Sequence, residues 1–350
     1  MKNKVNTQTS DEDGQAGYIA SDSSPRFDNV LPTRGISVDD RKPAPSTEWR
    51  EIIAPDEQER FAKEAERFTR IQNDRAQRYG EPGRGFHRKP LLALRAEFDV
   101  LADLPDYARF GLFATPGPHE AWVRLSNGIF DINPDPVPDI RGFAIKVFGV
   151  DGPDARDGAP ALSQDFLMIQ VDPFGLTSQQ FTDAAWSLAF DKPSPPSTEA
   201  IRRLHISGFA GTVFNTTTPF QVGPYAARAR VVPAADHVPD PNAENDWGAD
   251  FYRRLPLTYA FQLQFFVSED DTPIEDAKKV WPEAIAPWIT VAHLTLPTQP
   301  LDPDLAAQAE RISFAPWNAL AEHRPLGEVN RARRVVMDRS VANRRGSYDR

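Results

Sequence analysis

Between Arg84 and Lys146, successive stretches alternate apolar and polar residues with period two, the pattern of a strand with one buried face. Leu94-Arg95-Ala96-Glu97-Phe98-Asp99-Val100, Trp122-Val123-Arg124-Leu125-Ser126 and Arg141-Gly142-Phe143-Ala144-Ile145-Lys146-Val147 all follow it. The exceptions are a histidine, several arginines and the Ser126-Asn127-Gly128 turn. Polar groups among core strands are costly unless something binds them, so chemistry is sought there first.

The elements around this block set the class. Residues 1 to about 48 are polar and aperiodic, too poor in apolar surface to offset the entropy of ordering, and read as a flexible arm. The remainder, 49–350, reads as one core domain. Pro55 and Asp56 start a helix whose Phe61, Ala65, Phe68 and Ile71 recur at helical spacing, and Gly80 stops it. Strands are expected around 92–101, 109–114, 120–126, 141–150, 165–171, 222–232, 258–268 and 288–296. Helices are expected over Ser178–Phe190, Thr198–Ile206, Pro303–Ile312 and Gly327–Arg345, with an acidic loop over Ala234–Gly248. Strands gathered between helices indicate an α+β fold with an antiparallel sheet or barrel, not a βαβ repeat.

Charge and composition exclude several functions. The net charge of −10 over 350 residues argues against nucleic acid or anionic membrane as partners. No run approaches a membrane span, and the start lacks the apolar segment of a leader, so a cytoplasmic location is expected. Without cysteine, thiolate nucleophiles, thiolate ligands and disulfides are all excluded. A thiol-free chain suits contact with peroxides; it equally suits a cytosolic protein with no use for cysteine.

Three constellations carry possible chemistry. Arg84-x-x-His87 puts a histidine just ahead of a barrel strand, as an acid-base over a pocket or as a satisfied interior imidazole. Arg84, Arg124 and Arg141 are costly if buried without partners, which leaves surface positions or an anionic ligand; Asp139 is near enough in sequence to neutralise Arg141. In the last helix Arg333, Met337, Val341 and Arg344 share one face at i, i+4, i+8 and i+11. That face is either a solvated basic stripe with one methionine touching the core or part of a site.

Together these pieces resemble the catalase superfamily, and more closely its short, catalase-related haem proteins, over roughly residues 80–345. Arg84-x-x-His87 matches the distal Arg-x-x-His. Trp122-Val123-Arg124-Leu125-Ser126 resembles the family's Val-Arg-Phe-Ser strand, and Asp139-Ile140-Arg141-Gly142-Phe143-Ala144-Ile145-Lys146 its Asp-Pro-Arg-Gly-Phe-Ala-Val-Lys. Ser163-Gln164-Asp165-Phe166, Pro273-Ile274-Glu275-Asp276, Val280-Trp281-Pro282-Glu283 and Phe314-Ala315-Pro316-Trp317-Asn318-Ala319-Leu320 are typical of the short members. The resemblance implies an eight-stranded antiparallel β-barrel with flanking helices and haem b bound between barrel and late helices. It implies that Arg84, Arg124 and Arg344 hold the haem carboxylates, and that His87 is the distal acid-base. It also puts Ser163 or Gln164 near the place of the distal asparagine.

One departure stands out. In the family's Arg-x-x-x-Tyr the tyrosinate binds iron and the arginine keeps it ionised; here Arg333 is followed four residues later by Met337. A thioether carries no negative charge to support high-valent iron. Three outcomes are open. Haem binds with Met337 or water as a weak proximal ligand, giving a peroxidase-like or hydroperoxide-transforming protein with weak catalase activity. Alternatively, haem is lost and the fold serves as a binding or scaffold protein. Finally, another group, Tyr348 being the nearest tyrosine downstream, reaches the iron. Expected partners are peroxide or an organic hydroperoxide, and a homo-oligomer is compatible with the arm.

Overall fold

A computed structural model describes residues 44–190, 204, 206–238 and 240–344. Its sheet contains β1 (Pro90–Val100), β2 (Gly117–Asn127), β3 (Arg141–Val147), β4 (Gln164–Ile169), β5 (Phe214–Asn215), β6 (Phe220–Val222), β7 (Tyr225–Pro233), β8 (Leu257–Phe265) and β9 (Trp288–Leu296). The described helices are α1 (Glu57–Tyr79), α2 (Ser178–Ala189), α3 (Trp247–Arg253), α4 (Pro303–Arg311) and α5 (Glu328–Arg344).

Every pairing is antiparallel, in the order β5-β4-β3-β2-β1-β9-β8-β7-β6. The short β5 closes the ring: Asn215 pairs with Ile169 of β4, and Phe214 pairs with Val231 of β7. Eight strands thus form a closed barrel, with β6 added beside β7, as expected for the α+β fold. Closure leaves no open sheet edge in the ring.

Strand parity decides what lies inside. On β2, Ala121, Val123 and Leu125 point inward and are fully buried; β3 contributes Phe143, Ile145 and Val147, and β4 Phe166 and Met168. Aromatic rings fill the interior, with Phe261 centred 5.0 Å from Phe98 and 4.7 Å from Phe166. The opposite parity sends Arg124, Ser126, Gly142 and Leu167 to the outer face. There α1, α2 and α5 cover them. α1 buries Phe61, Ala65, Phe68 and Ile71 as its spacing predicts, and ends at Gly80 in the left-handed region, φ 76°. Arg331 ties α5 to α1, donating from Nε and Nη2 to Glu57.

Several expectations are corrected or lie elsewhere. Residues 109–114 are not a strand but follow two single 3-10 turns, Asp106–Ala108 and Gly111–Phe113. Gly111 sits at φ 53°, and the Leu112 amide donates to His323 Nε2 at 2.9 Å, so no ladder can form. The acidic loop ends in the first turn of α3, which is capped by the Asp246 side chain accepting from the Ala249 amide. β5 and β6 are too short to carry a period. Of the expected arm, residues 44–48 are described, and the Ser46 amide already donates to the Phe266 carbonyl on the core. The expected helix at 198–206 falls almost wholly outside the described residues, as does Tyr348.

Candidate functional site

A cavity of about 220 Å³ lies between the outer face of β2–β4 and helices α1, α2 and α5. This is more than ten times the ~10–15 Å³ that a single water needs. Arg84, His87, Arg124, Arg333, Met337 and Arg344, far apart in sequence, all line it. Most of the wall is apolar, including Phe86, Phe174, Phe181, Leu188, Val336 and Val341.

His87 enters from the turn that feeds β1. Its backbone is held at φ 53°, a region uncommon for residues other than glycine. Its amide donates to the Gly128 carbonyl at 2.8 Å, and its own carbonyl accepts from Arg124 Nη2 at 2.9 Å. Nδ1 lies 3.0 Å from Ser126 Oγ, while Nε2 makes no hydrogen bond among the described residues. Gly142 leaves room for the ring, since a Cβ there would stand 2.5 Å from His87 Nδ1. Burial, and then the charges of Arg124, Arg333 and Arg84, push the imidazole down to about 3. It is therefore neutral at physiological pH, and in the tautomer whose Nδ1–H donates to Ser126 Oγ its Nε2 is free to accept a proton.

The rim gathers cations where α4 ends. Arg84 Nη2 donates to the Ala309 and Ile312 carbonyls at 2.6 and 3.0 Å, and Arg344 Nη1 to the Glu310 carbonyl at 2.6 Å. These are last-turn carbonyls, which a helix leaves unsatisfied. The Glu310 side chain accepts from Arg124 Nε and Nη2 at 2.6 and 3.1 Å and lies 3.5 Å from Arg84 Nε. Burial raises that carboxyl, but Arg124, Arg84 and Arg344 outweigh it and hold it below the ordinary range. Arg84 Nε is buried without a hydrogen bond. Burial and the neighbouring arginines bring Arg84 well below its usual value.

A second polar point lies on α1. Glu64 faces the cavity, accepts from Ser178 Oγ at 2.9 Å, and is raised to about 7 by burial, with Glu328 adding to the effect.

Ser163 and Gln164 are not brought to the cavity. Ser163 belongs to a buried ion-pair network in which Lys146 Nζ donates to Ser163 Oγ at 2.9 Å and to Asp165 at 2.7 Å. At ~3.3 Å per residue it lies about 13 Å along the chain before Leu167, which does line the site. Gln164 has the inward parity, and its Oε1 accepts from the Leu320 amide at 3.0 Å. Nor does Asp139 neutralise Arg141 by direct pairing. Asp139 caps the Ile129 and Ile140 amides at 3.2 and 2.7 Å, while Arg141 donates to the Asp135 and Val137 carbonyls.

Ser126, Glu64 and Glu310 carry no role in the sequence reading. For Glu310 a signal existed: it is an acid in the last turn of a helix, against the macrodipole.

The donor set is a partial match to haem. The clustered guanidinium groups, with Arg84 Nε buried and unbonded, suit two carboxylates, and the apolar walls suit a flat macrocycle. Among the described lining residues, however, the iron ligand on offer from α5 is the neutral Met337, and neither tyrosine nor cysteine is present. No group of three or more His, Cys, Asp and Glu residues able to hold a bare metal ion occurs among the described residues. None of the described helices is long and apolar enough to cross a membrane.

No protein-family model matches the sequence, and no curated protein matches it. Solved structures do match. A fungal catalase superposes with a TM-score of 0.63 at 16% identity, covering 77% of this chain and 61% of that one. Catalase A from Saccharomyces cerevisiae gives 0.60 at 16%, covering 77% and 62%. A bacterial catalase gives 0.58 at 17%, covering 77% and 58%. The chain thus spans about three-fifths of the length of these catalases. With its closed antiparallel barrel, flanking helices and these superpositions, the chain has the catalase fold.

Proposed function

We propose that the cavity binds haem b, with its carboxylates at Arg84, Arg124 and Arg344, and that the protein transforms peroxide or organic hydroperoxides. The observation that carries this reading is the rim: Arg84 and Arg124 converge on the Glu310 carboxylate, Arg344 donates to the Glu310 carbonyl, and the buried Arg84 Nε lacks a hydrogen bond. Arg84 and Arg124 share the single Glu310 carboxylate beside an apolar cavity, an arrangement that suits an anionic ligand that is otherwise apolar. Haem, when bound, supplies redox chemistry at its iron.

The chain's own residues supply the rest. Ser126 Oγ fixes the His87 ring through Nδ1. His87 Nε2 accepts the proton of a hydroperoxide O–H and returns it to the second oxygen. Burial, and then the surrounding arginines, disfavour the imidazolium, so the proton is passed on rather than kept. The apolar wall limits water around that transfer. Met337 offers no negative charge from the α5 side, which favours peroxidase-like turnover or rearrangement over disproportionation of hydrogen peroxide.

A second reading rests on that same methionine: the protein is haem-free and the cavity serves as a binding site for another flat, anionic molecule. An absorption spectrum with a pyridine haemochrome assay separates the two. Near-stoichiometric haem with a Soret band supports the first reading. A protein that stays colourless after haem is supplied overturns it in favour of the second.

A further inference from the structure

Arg333 is held unlike the other cavity arginines. It donates only from Nη1, to Thr218 Oγ1 at 3.2 Å and Asn330 Oδ1 at 3.4 Å, both neutral. Its Nε and Nη2 make no hydrogen bond, and it pairs with no carboxylate, among the described residues. Burial alone acts on its charge, lowering it to about 10, with no acidic neighbour to oppose the shift. The residue nevertheless keeps partial surface exposure and lines the cavity. Phe174 flanks the guanidinium at 5.8 Å. Thr217, held at φ 60°, and the neutral Met337 one turn further along α5 line the same cavity. A guanidinium remains charged at neutral pH, and its Nε–Nη2 edge matches the two oxygens of a carboxylate.

We propose that Arg333 forms an anion site of its own, taking a small carboxylate in bidentate fashion on its Nε–Nη2 edge beside Met337, separate from the Arg84–Arg124–Arg344 rim. The site is built from protein groups alone and does not depend on haem being bound.

The test is a sodium formate titration of the full chain as purified, at ionic strength held with sodium chloride, read as the rise in Tm. Wild type is expected to show a saturable rise. Arg333→Gln should weaken the response at least tenfold. Met337→Glu, whose carboxylate four residues on reaches the same edge, should abolish it. A flat wild-type titration, or a folded R333Q protein that titrates like wild type, overturns the site. If R333Q does not fold, M337E decides: an undiminished formate response there overturns the proposal. Haem content measured in parallel keeps the two readings apart. Arg333-dependent formate binding in a protein that cannot take up haem leaves this site standing and removes the haem reading; stoichiometric haem with no formate response does the opposite.

Discussion

Arg124 Nε on the outer face of β2 lies 2.6 Å from Glu310 Oε1 in the last turn of α4, 186 residues away. This contact anchors the late helices to the barrel and sets the charge of the cavity rim. Glu310→Gln is expected to cost about 1–2 kcal/mol at pH 7, a modest figure because the side chain is 35% accessible and partly screened. The folded carboxyl lies below its unfolded value. Its contribution is therefore full above about pH 4.3 and fades as pH falls through the lower folded value. Urea denaturation at pH 7 and pH 3 checks this; an equal penalty at both would show that the charge is irrelevant.

Glu64 behaves in the opposite sense. Its folded value is raised to about 7, against about 4.3 unfolded, so folding is favoured below the unfolded value and the benefit is lost as pH rises through 7. Glu64→Gln keeps an acceptor for Ser178 and should be about 2–3 kcal/mol more stable than wild type at pH 8.5, with no gain at pH 4. Denaturation midpoints across that range report it, and a gain independent of pH would argue against a buried titrating carboxyl.

Gly142 is where His87 makes room in the fold. A methyl there would stand 2.6 Å from His87 Cε1 and 2.8 Å from Ser126 Oγ. Gly142→Ala should destabilise by about 1–3 kcal/mol, the usual range for overpacking, and displace the imidazole. Stability together with the His87 ring resonances by NMR tests both parts. Unmoved resonances would mean that the strand, rather than the ring, yields.

Reactivity depends on the two sides of the cavity differently. In haem-loaded protein, His87→Ala should lower peroxide reactivity at least a hundredfold, within the ~10²–10⁴ typical of a positioned acid-base, with haem content largely kept. Because His87 lies near 3, its titration should leave no inflection in wild-type activity between pH 5 and 8. Met337→Tyr should give a tyrosinate spectrum and at least tenfold higher peroxide turnover. Stopped-flow rates and absorption spectra read both variants, and an unchanged M337Y spectrum would place Met337 away from the iron.

Much of the scaffold is legible locally. Parity along Val123-Arg124-Leu125-Ser126 fixes which side chains fill the barrel and which meet the helices, because alternation is a property of neighbouring residues. Helical spacing on α1 and α5 likewise picks out Phe61, Phe68, Arg333 and Met337. The ordered matches to one family then imply the barrel and the set of arginines. Other features depend on partners distant in sequence. The turns at 106–113 exist because Leu112 finds His323 rather than a strand, 211 residues on. Ser163 pairs with Lys146 and Gln164 with Leu320, which keeps both from the cavity. Glu310 meets Arg124, Arg333 meets no carboxylate among the described residues, and Nδ1 of His87 meets Ser126. Sequence determines which groups are charged, apolar or able to turn; packing decides which of them are buried together, and burial makes an unpaired charge costly enough to define a site.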